Sequence, residues 1–145
     1  QVVAQLLLST DNIDDQNSRY KNELGAGRIN AARAITEMAD LVSIRQVWKE
    51  NSKLYIHLRG ILATNPTRGE AIRIESTNGQ RTYKTFSLEK YDMAQNKIEL
   101  NLSDLPRGEY RLTVDGDQLL DPFSRRIDAN GNGQAGGTLE SLFTL

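Results

Sequence analysis

The spacing of apolar positions changes period once along this chain, near residue 42. Before that point it is helical. Val2, Val3, Leu6 and Leu7 recur at helical spacing until Ser9-Thr10-Asp11-Asn12 breaks the run. Gly25-Ala26-Gly27 marks a turn, and Asn30 stands where a helix N-cap belongs. Behind it Ala31, Ala34, Ile35, Met38 and Ala39 follow the stripe of a helix with one buried face. Two short helices joined by a polar loop bury little by themselves. They are expected to pack against a neighbour upstream of Gln1.

After residue 42 the period is two. Leu54, Ile56 and Leu58 alternate with Tyr55, His57 and Arg59. Ile72 and Ile74 alternate with Arg73 and Glu75. Ile98, Leu100 and Leu102 alternate with Glu99 and Asn101, and Tyr110, Leu112 and Val114 with Arg111 and Thr113. Each run reads as a half-buried strand. Leu139, Ser141, Phe143 and Leu145 read as the last one. Asn78-Gly79 is a hairpin signal, and Pro106-Arg107-Gly108 turns the chain before Glu109. Several short strands with turns between them predict a mainly β chain built as an antiparallel sandwich.

Composition narrows the function classes. The chain has 145 residues, enough for one medium domain or a small domain with a helical preface. A net charge of -1 leaves no basic surplus for a nucleic acid. With no cysteine, disulfides, thiolate metal sites and cysteine nucleophiles are excluded. No apolar run approaches the ~20 residues of a membrane span. The start at Gln1-Val2-Val3 rather than Met leads us to expect a fragment or a processed piece.

The opening segment carries a specific pattern. It runs through Gln1-Val-Val-Ala-Gln-Leu-Leu-Leu-Ser-Thr-Asp-Asn-Ile-Asp14, then Asn17-Ser-Arg-Tyr20, then Leu24-Gly-Ala-Gly-Arg-Ile-Asn-Ala-Ala-Arg-Ala34. This resembles the end of the catalytic domain of subtilisin-like serine proteases, the subtilases. There a helix, a short loop and a Gly-x-Gly-Arg-Val/Ile-Asn-Ala turn precede the last helix. Glycines at 25 and 27 permit backbone angles closed to other residues, Asn30 caps the helix, and Arg28 is expected to bind loop carbonyls. The resemblance implies a parent that cleaves peptide bonds with a Ser-His-Asp triad. The motifs around that triad are missing here. The one histidine, His57, falls on the polar side of a strand, so we expect it on an exposed face and not as a base.

A second pattern lies near the C-terminus. Asp128-Ala-Asn130-Gly-Asn132-Gly133-Gln134 has the Asp-x-Asn-x-Asn-Gly order of calcium loops. Calcium takes six to eight hard oxygens, and alternate side chains turn inward around the ion. Asp128, Asn130 and Asn132 are the expected side-chain ligands. Gln134 adds its carbonyl, and Asp121 and Glu140 complete the set. The twelfth position is Leu139 rather than a bidentate Glu, and Gly136-Gly137 follows, so this is not an ordinary EF-hand. The segment from Asp121 to Gly137, ending in Leu142-Phe143, resembles the close of bacterial Ig-like modules in large secreted proteins. Leu105–Val114 resembles their penultimate strand. Two Asn replace Asp at ligand positions, and Thr138 stands where those modules often carry an acid.

Other features have plainer readings. Asp14-Asp15 and Asp115-Gly-Asp117 are expected in solvated turns, not as paired catalytic carboxylates. Trp48 with Tyr55 and Phe86 offers a sugar platform, but a buried sandwich tryptophan is the favoured reading. Asn101-Leu-Ser103 fits a glycosylation sequon inside a strand. Together these give a helical tail at 1–42, from a subtilase α/β domain, and an Ig-like sandwich at 43–145. The expected role is the C-terminal part of a secreted bacterial endopeptidase, itself without a triad, with structural calcium. Its partners are the upstream catalytic domain and that domain's peptide substrate. The alternative is a calcium-stiffened adhesion or surface-layer module. A carbohydrate-binding module has thin support at 6% aromatic residues.

Overall fold

The period-two runs become strands, and their apolar halves meet. The computed structural model describes residues 2–21, 23–37, 39–63, 70–77, 82–85 and 91–145, with the backbone alone at 82–85. Met38, Phe86 and the Asn78-Gly79 hairpin lie outside the described residues. Among the described residues are helices α1 (Val2–Leu8) and α2 (Ala31–Thr36). They are followed by strands β1 (Ser43–Glu50), β2 (Lys53–Arg59), β3 (Ile72–Ser76), β4 (Thr82–Thr85), β5 (Tyr91–Asp92), β6 (Lys97–Asn101), β7 (Glu109–Asp115) and β8 (Thr138–Thr144). One antiparallel sheet has the order β1-β2-β6-β5 and the other β4-β3-β7-β8. The chain is therefore mainly β, in two antiparallel sheets.

Leu54, Ile56 and Leu58 of β2 and Ile98 and Leu100 of β6 point inward from the first sheet. They meet Ile72 and Ile74 of β3 and Tyr110, Leu112 and Val114 of β7 in one buried cluster. Facing inner surfaces with a shared core are the packing of a β-sandwich. The β1–β2 hairpin turns at Asn51-Ser52, where Asn51 takes φ 52°, a conformation Asn tolerates better than most residues.

Trp48 departs from the expected burial. It lies on the outer face of the first sheet, opposite Tyr55, and is absent from the core cluster. The cause is a bulge in β1. Ile44 pairs with Leu58 and Gln46 with His57, so Arg45 is an extra residue. That residue flips the parity of everything after it, and Val47 rather than Trp48 turns inward.

In α1 the residues that meet the strands lie outside the spaced apolar set, and α2 ends short of its expected stripe. Ala4 and Leu8, not the Val2/Val3/Leu6 side, are the buried residues of α1. Leu8 enters the same cluster as the strands, together with Ala39 and Val42. It fits because Gly60 stands beneath it, where a Cβ would collide with the Leu8 side chain. Helix α2 stops at Thr36 and buries none of its residues. Ala39 reaches the core from extended chain beyond the helix, not from a helical face. Gln5 of α1 closes the end of α2, donating to the carbonyls of Glu37 at 2.7 Å and Ala34 at 3.2 Å. These groups would otherwise lack partners at a helix C-terminus.

Leader and sandwich therefore share one core. Leu8→Ala is expected to cost about 2–5 kcal/mol, the usual range for a buried leucine. Calorimetry should show a single transition moved to lower temperature. A separate leader transition, with the sandwich transition unmoved, would contradict a shared core.

Candidate functional site

The glycine-punctuated loop after β7 curls around Asp128. Its carboxylate accepts the main-chain N–H groups of Gly131 at 2.8 Å, Asn132 at 3.2 Å and Gly133 at 2.8 Å. The Asn130 side-chain oxygen accepts from the N–H of Asn132 at 3.3 Å, and that of Asn132 from the N–H of Gln134 at 2.9 Å. Gly133 makes the turn at φ 82°. The loop is anchored at its base, where the Asp128 N–H donates to the Val42 carbonyl at 2.8 Å and Gly136 to Ile127 at 2.7 Å. The sequence thus brings Asp128, Asn130, Asn132 and Gln134 into one loop.

Asp121 and Glu140 have other partners. Asp121 is fully buried and accepts from the main-chain N–H groups of Phe123 and Arg125. Its second oxygen holds the Arg125 guanidinium at 2.8 Å. Glu140 lies on β8 and faces Arg111 of β7 at 3.7 Å. Among the described residues, no three His, Asp or Glu side chains converge as a metal cluster.

The second candidate is the leader. Gly27 takes φ 106°, and a Cβ there would collide with the Asp11 carbonyl. The close approach makes a two-way bridge, Asp11 N–H to Arg28 carbonyl at 2.9 Å and Arg28 N–H to Asp11 carbonyl at 3.0 Å. Arg28 binds the Asp11 carboxylate at 2.9 Å, not the loop carbonyls expected for it. Asn30 caps α2 as expected, accepting from the Arg33 N–H at 3.0 Å. Its amide also donates to Asp11. That bond first, and Arg28 second, hold the Asp11 carboxyl below its usual range. Val2 is 75% exposed and Ile35 85% exposed. With Leu6, Ala34 and Phe123 they line an open, almost wholly apolar hollow of about 350 Å³.

The remaining polar features resolve simply. Asp14, expected in a solvated turn, is instead buried and paired with Arg45, which also donates to the Gly25 carbonyl at 2.8 Å. Asp115 caps the short turn at Gly116–Gln118, and Asp117 pairs with Arg126 at 2.8 Å. Asn101 forms a turn with the Ser103 N–H at 3.0 Å. His57 lies on the outer face as expected, but partly buried, beside Trp48.

Comparison with known proteins gave no match to a family model, a curated protein or a solved structure.

Burial first, then the charges of Arg45 and Lys97, push the His57 imidazole below its usual 6.5. As pH falls, the unfolded chain takes the proton before the folded one. Stability is therefore lost below 6.5, and the loss is complete once pH passes the lower folded value. NMR titration of this single histidine should give a midpoint below 6.5, and His57→Gln should flatten the melting temperature across that window. A midpoint at or above 6.5 would refute the assignment.

Proposed function

We propose that this chain is the C-terminal part of a secreted bacterial subtilisin-like serine endopeptidase, with residues 1–42 closing its catalytic domain and residues 43–145 forming an accessory Ig-like module. The observation that carries this reading is the leader. A glycine turn tied to Asp11 and capped by Asn30 sets up α2, and that helix buries no residue of its own. Contiguous exposed apolar surface marks a place of association. A missing catalytic domain on Val2, Leu6 and Ile35 gives that surface its partner.

Two observations support the Ig-like assignment. Labelled in chain order, the sheets have the A-B-E-D and C′-C-F-G strand orders of that fold. Tyr110, near the start of β7, donates its hydroxyl to the Pro106 carbonyl four residues back, at 2.6 Å. That is the tyrosine-corner contact of the corresponding strand in Ig domains. No buried tryptophan accompanies it, since Trp48 lies on β1 and faces outward.

Structural calcium is part of the proposal. The donors in the loop are all hard oxygens, which fits the ion in kind. Asp128 is the only acid among them, and a carboxylate with about four lone-pair sites already receives three N–H groups. Affinity in the weak range of about 10⁻⁴–10⁻³ M is expected. Millimolar calcium should raise the melting temperature of the wild type and leave Asp128→Ala unmoved. That substitution should itself cost about 1–3 kcal/mol by stranding the loop N–H groups. An unchanged wild-type melting temperature would remove calcium and leave the loop as a self-latched turn.

The sequence lacks the motifs that surround a Ser-His-Asp triad, and in this reading hydrolysis belongs to the parent. Among the described residues no helix is long and apolar enough to cross a membrane. The encoded sequence upstream of Gln1 is expected to contain a Gly-Thr-Ser-Met-Ala-type nucleophile motif. A fluorophosphonate probe should label that full-length product stoichiometrically and leave this chain unlabelled. Upstream sandwich repeats and an unlabelled full-length product would instead favour the non-enzymatic adhesion or surface-layer module.

A further inference from the structure

The β1 bulge sends Gln46 and Trp48 to the outer face of the first sheet, where β2 and β6 contribute Tyr55, His57 and Lys97. The Trp48 and Tyr55 rings stack with centroids 5.1 Å apart and planes at 24°. His57 meets Trp48 edgewise at 6.4 Å, and the Lys97 ammonium lies 5.1 Å from the Tyr55 centroid. These contacts hold the aromatic rings in place without covering them all. The leader passes over one side, bringing Lys21 and Glu23, and the turn at 94–97 closes the other. Between them lies a hollow of about 600 Å³, walled by Trp48 and His57 and otherwise lined largely by amides and charges. That volume falls within the roughly 300–1,000 Å³ of small-molecule sites.

The lining selects its ligand. A wholly apolar molecule would strand the amide, ammonium and carboxylate groups of the walls. A single aromatic wall opposed by polar groups suits a ring with C–H bonds on one face and hydroxyls around its rim. Gln46 and Glu23 are planar groups able to bind such hydroxyls in pairs. Lys21 and Lys97 outnumber Glu23, so the hollow is electropositive although the chain carries -1 overall.

We propose that this hollow binds a short saccharide bearing a carboxylate, with a sugar ring against Trp48 and its acid toward Lys21 and Lys97. The assignment stands on the outer sheet face and the leader segment that borders it, and does not depend on the protease reading. In a secreted protein it would hold the molecule to an acidic polysaccharide.

Trp48 is the only tryptophan in the chain, so its fluorescence reports this site and nothing else. Titration uses a panel of acidic oligosaccharides (oligogalacturonates, oligoguluronates, sialyl-lactose), matched neutral oligosaccharides, and an acidic tripeptide. A saturable change with at least one acidic saccharide is expected, at least tenfold tighter than with its neutral counterpart. Lys21→Gln and Lys97→Gln should each weaken it about two- to fivefold, the effect of an exposed ion pair. Trp48→Ala, followed by calorimetry and checked for folding by circular dichroism, should abolish it. Glu23→Gln, which leaves every aromatic in place, should strengthen binding of the acid. No saturable change across the panel overturns the site. Equal binding of the neutral sugars overturns the role of the lysines, and equal binding of the tripeptide overturns the saccharide class.

Discussion

The Arg125 guanidinium fastens the sandwich to its leader. One edge holds the buried Asp121 carboxylate, and the remaining donors reach the carbonyls of Ala39 at 2.8 Å and Asp40 at 3.1 Å. An ionised carboxylate without exposure costs several kcal/mol unless it is paired and hydrogen-bonded. The turn at 121–125 therefore cannot leave residues 39–40 without breaking two charge-assisted hydrogen bonds from Arg125. The constraint propagates outward. Val42 follows at once, and its carbonyl takes the N–H of Asp128, so the glycine loop hangs from the same junction. β1 begins one residue later, and its register with β2 sets which side chains face outward.

That junction gives the molecule two kinds of surface. The buried sides of α1 and the segment after α2 are absorbed into the strand core through Leu8, Ala39 and Val42. The opposite sides of both helices stay bare. A leader whose only purpose was to cap the sandwich would gain nothing from Val2 and Ile35 in water. In the proposed protease the same leader would have a use for both sides. This is why the docking of the leader and the proposed protease parent are compatible rather than competing.

The loop and the outer sheet face divide the remaining polar chemistry. In the loop, side-chain oxygens satisfy main-chain N–H groups, so the turn is held whether or not an ion joins it. On the sheet face, aromatic rings are braced by strand neighbours and the surrounding polar groups line open space. The first arrangement serves stability, and the second offers contacts to something outside.

The sequence by itself determined the strands. Period-two alternation is a property of extended chain, so Leu54, Ile56, Leu58, Ile72, Ile74, Ile98, Leu100, Leu112 and Val114 reached the core as their spacing demanded. Asn30 as a cap and Asp128 with its neighbours as a single loop were equally legible, because both depend on residues a few positions apart. Tertiary structure decided the rest. Residue type alone placed Trp48 in the core, and it faces outward because of an extra residue at Arg45 that appears only when β1 is paired with β2. The inward face of α1 was chosen by the space above Gly60, distant in sequence from Leu8. Asp121 and Glu140 lie near the loop in the chain, and the fold sets Arg125 and Arg111 beside them, because an ion pair forms with whichever charge the fold brings close. Local spacing fixes which face of an element is apolar, while the partner of that face is a fact about distant segments meeting in three dimensions.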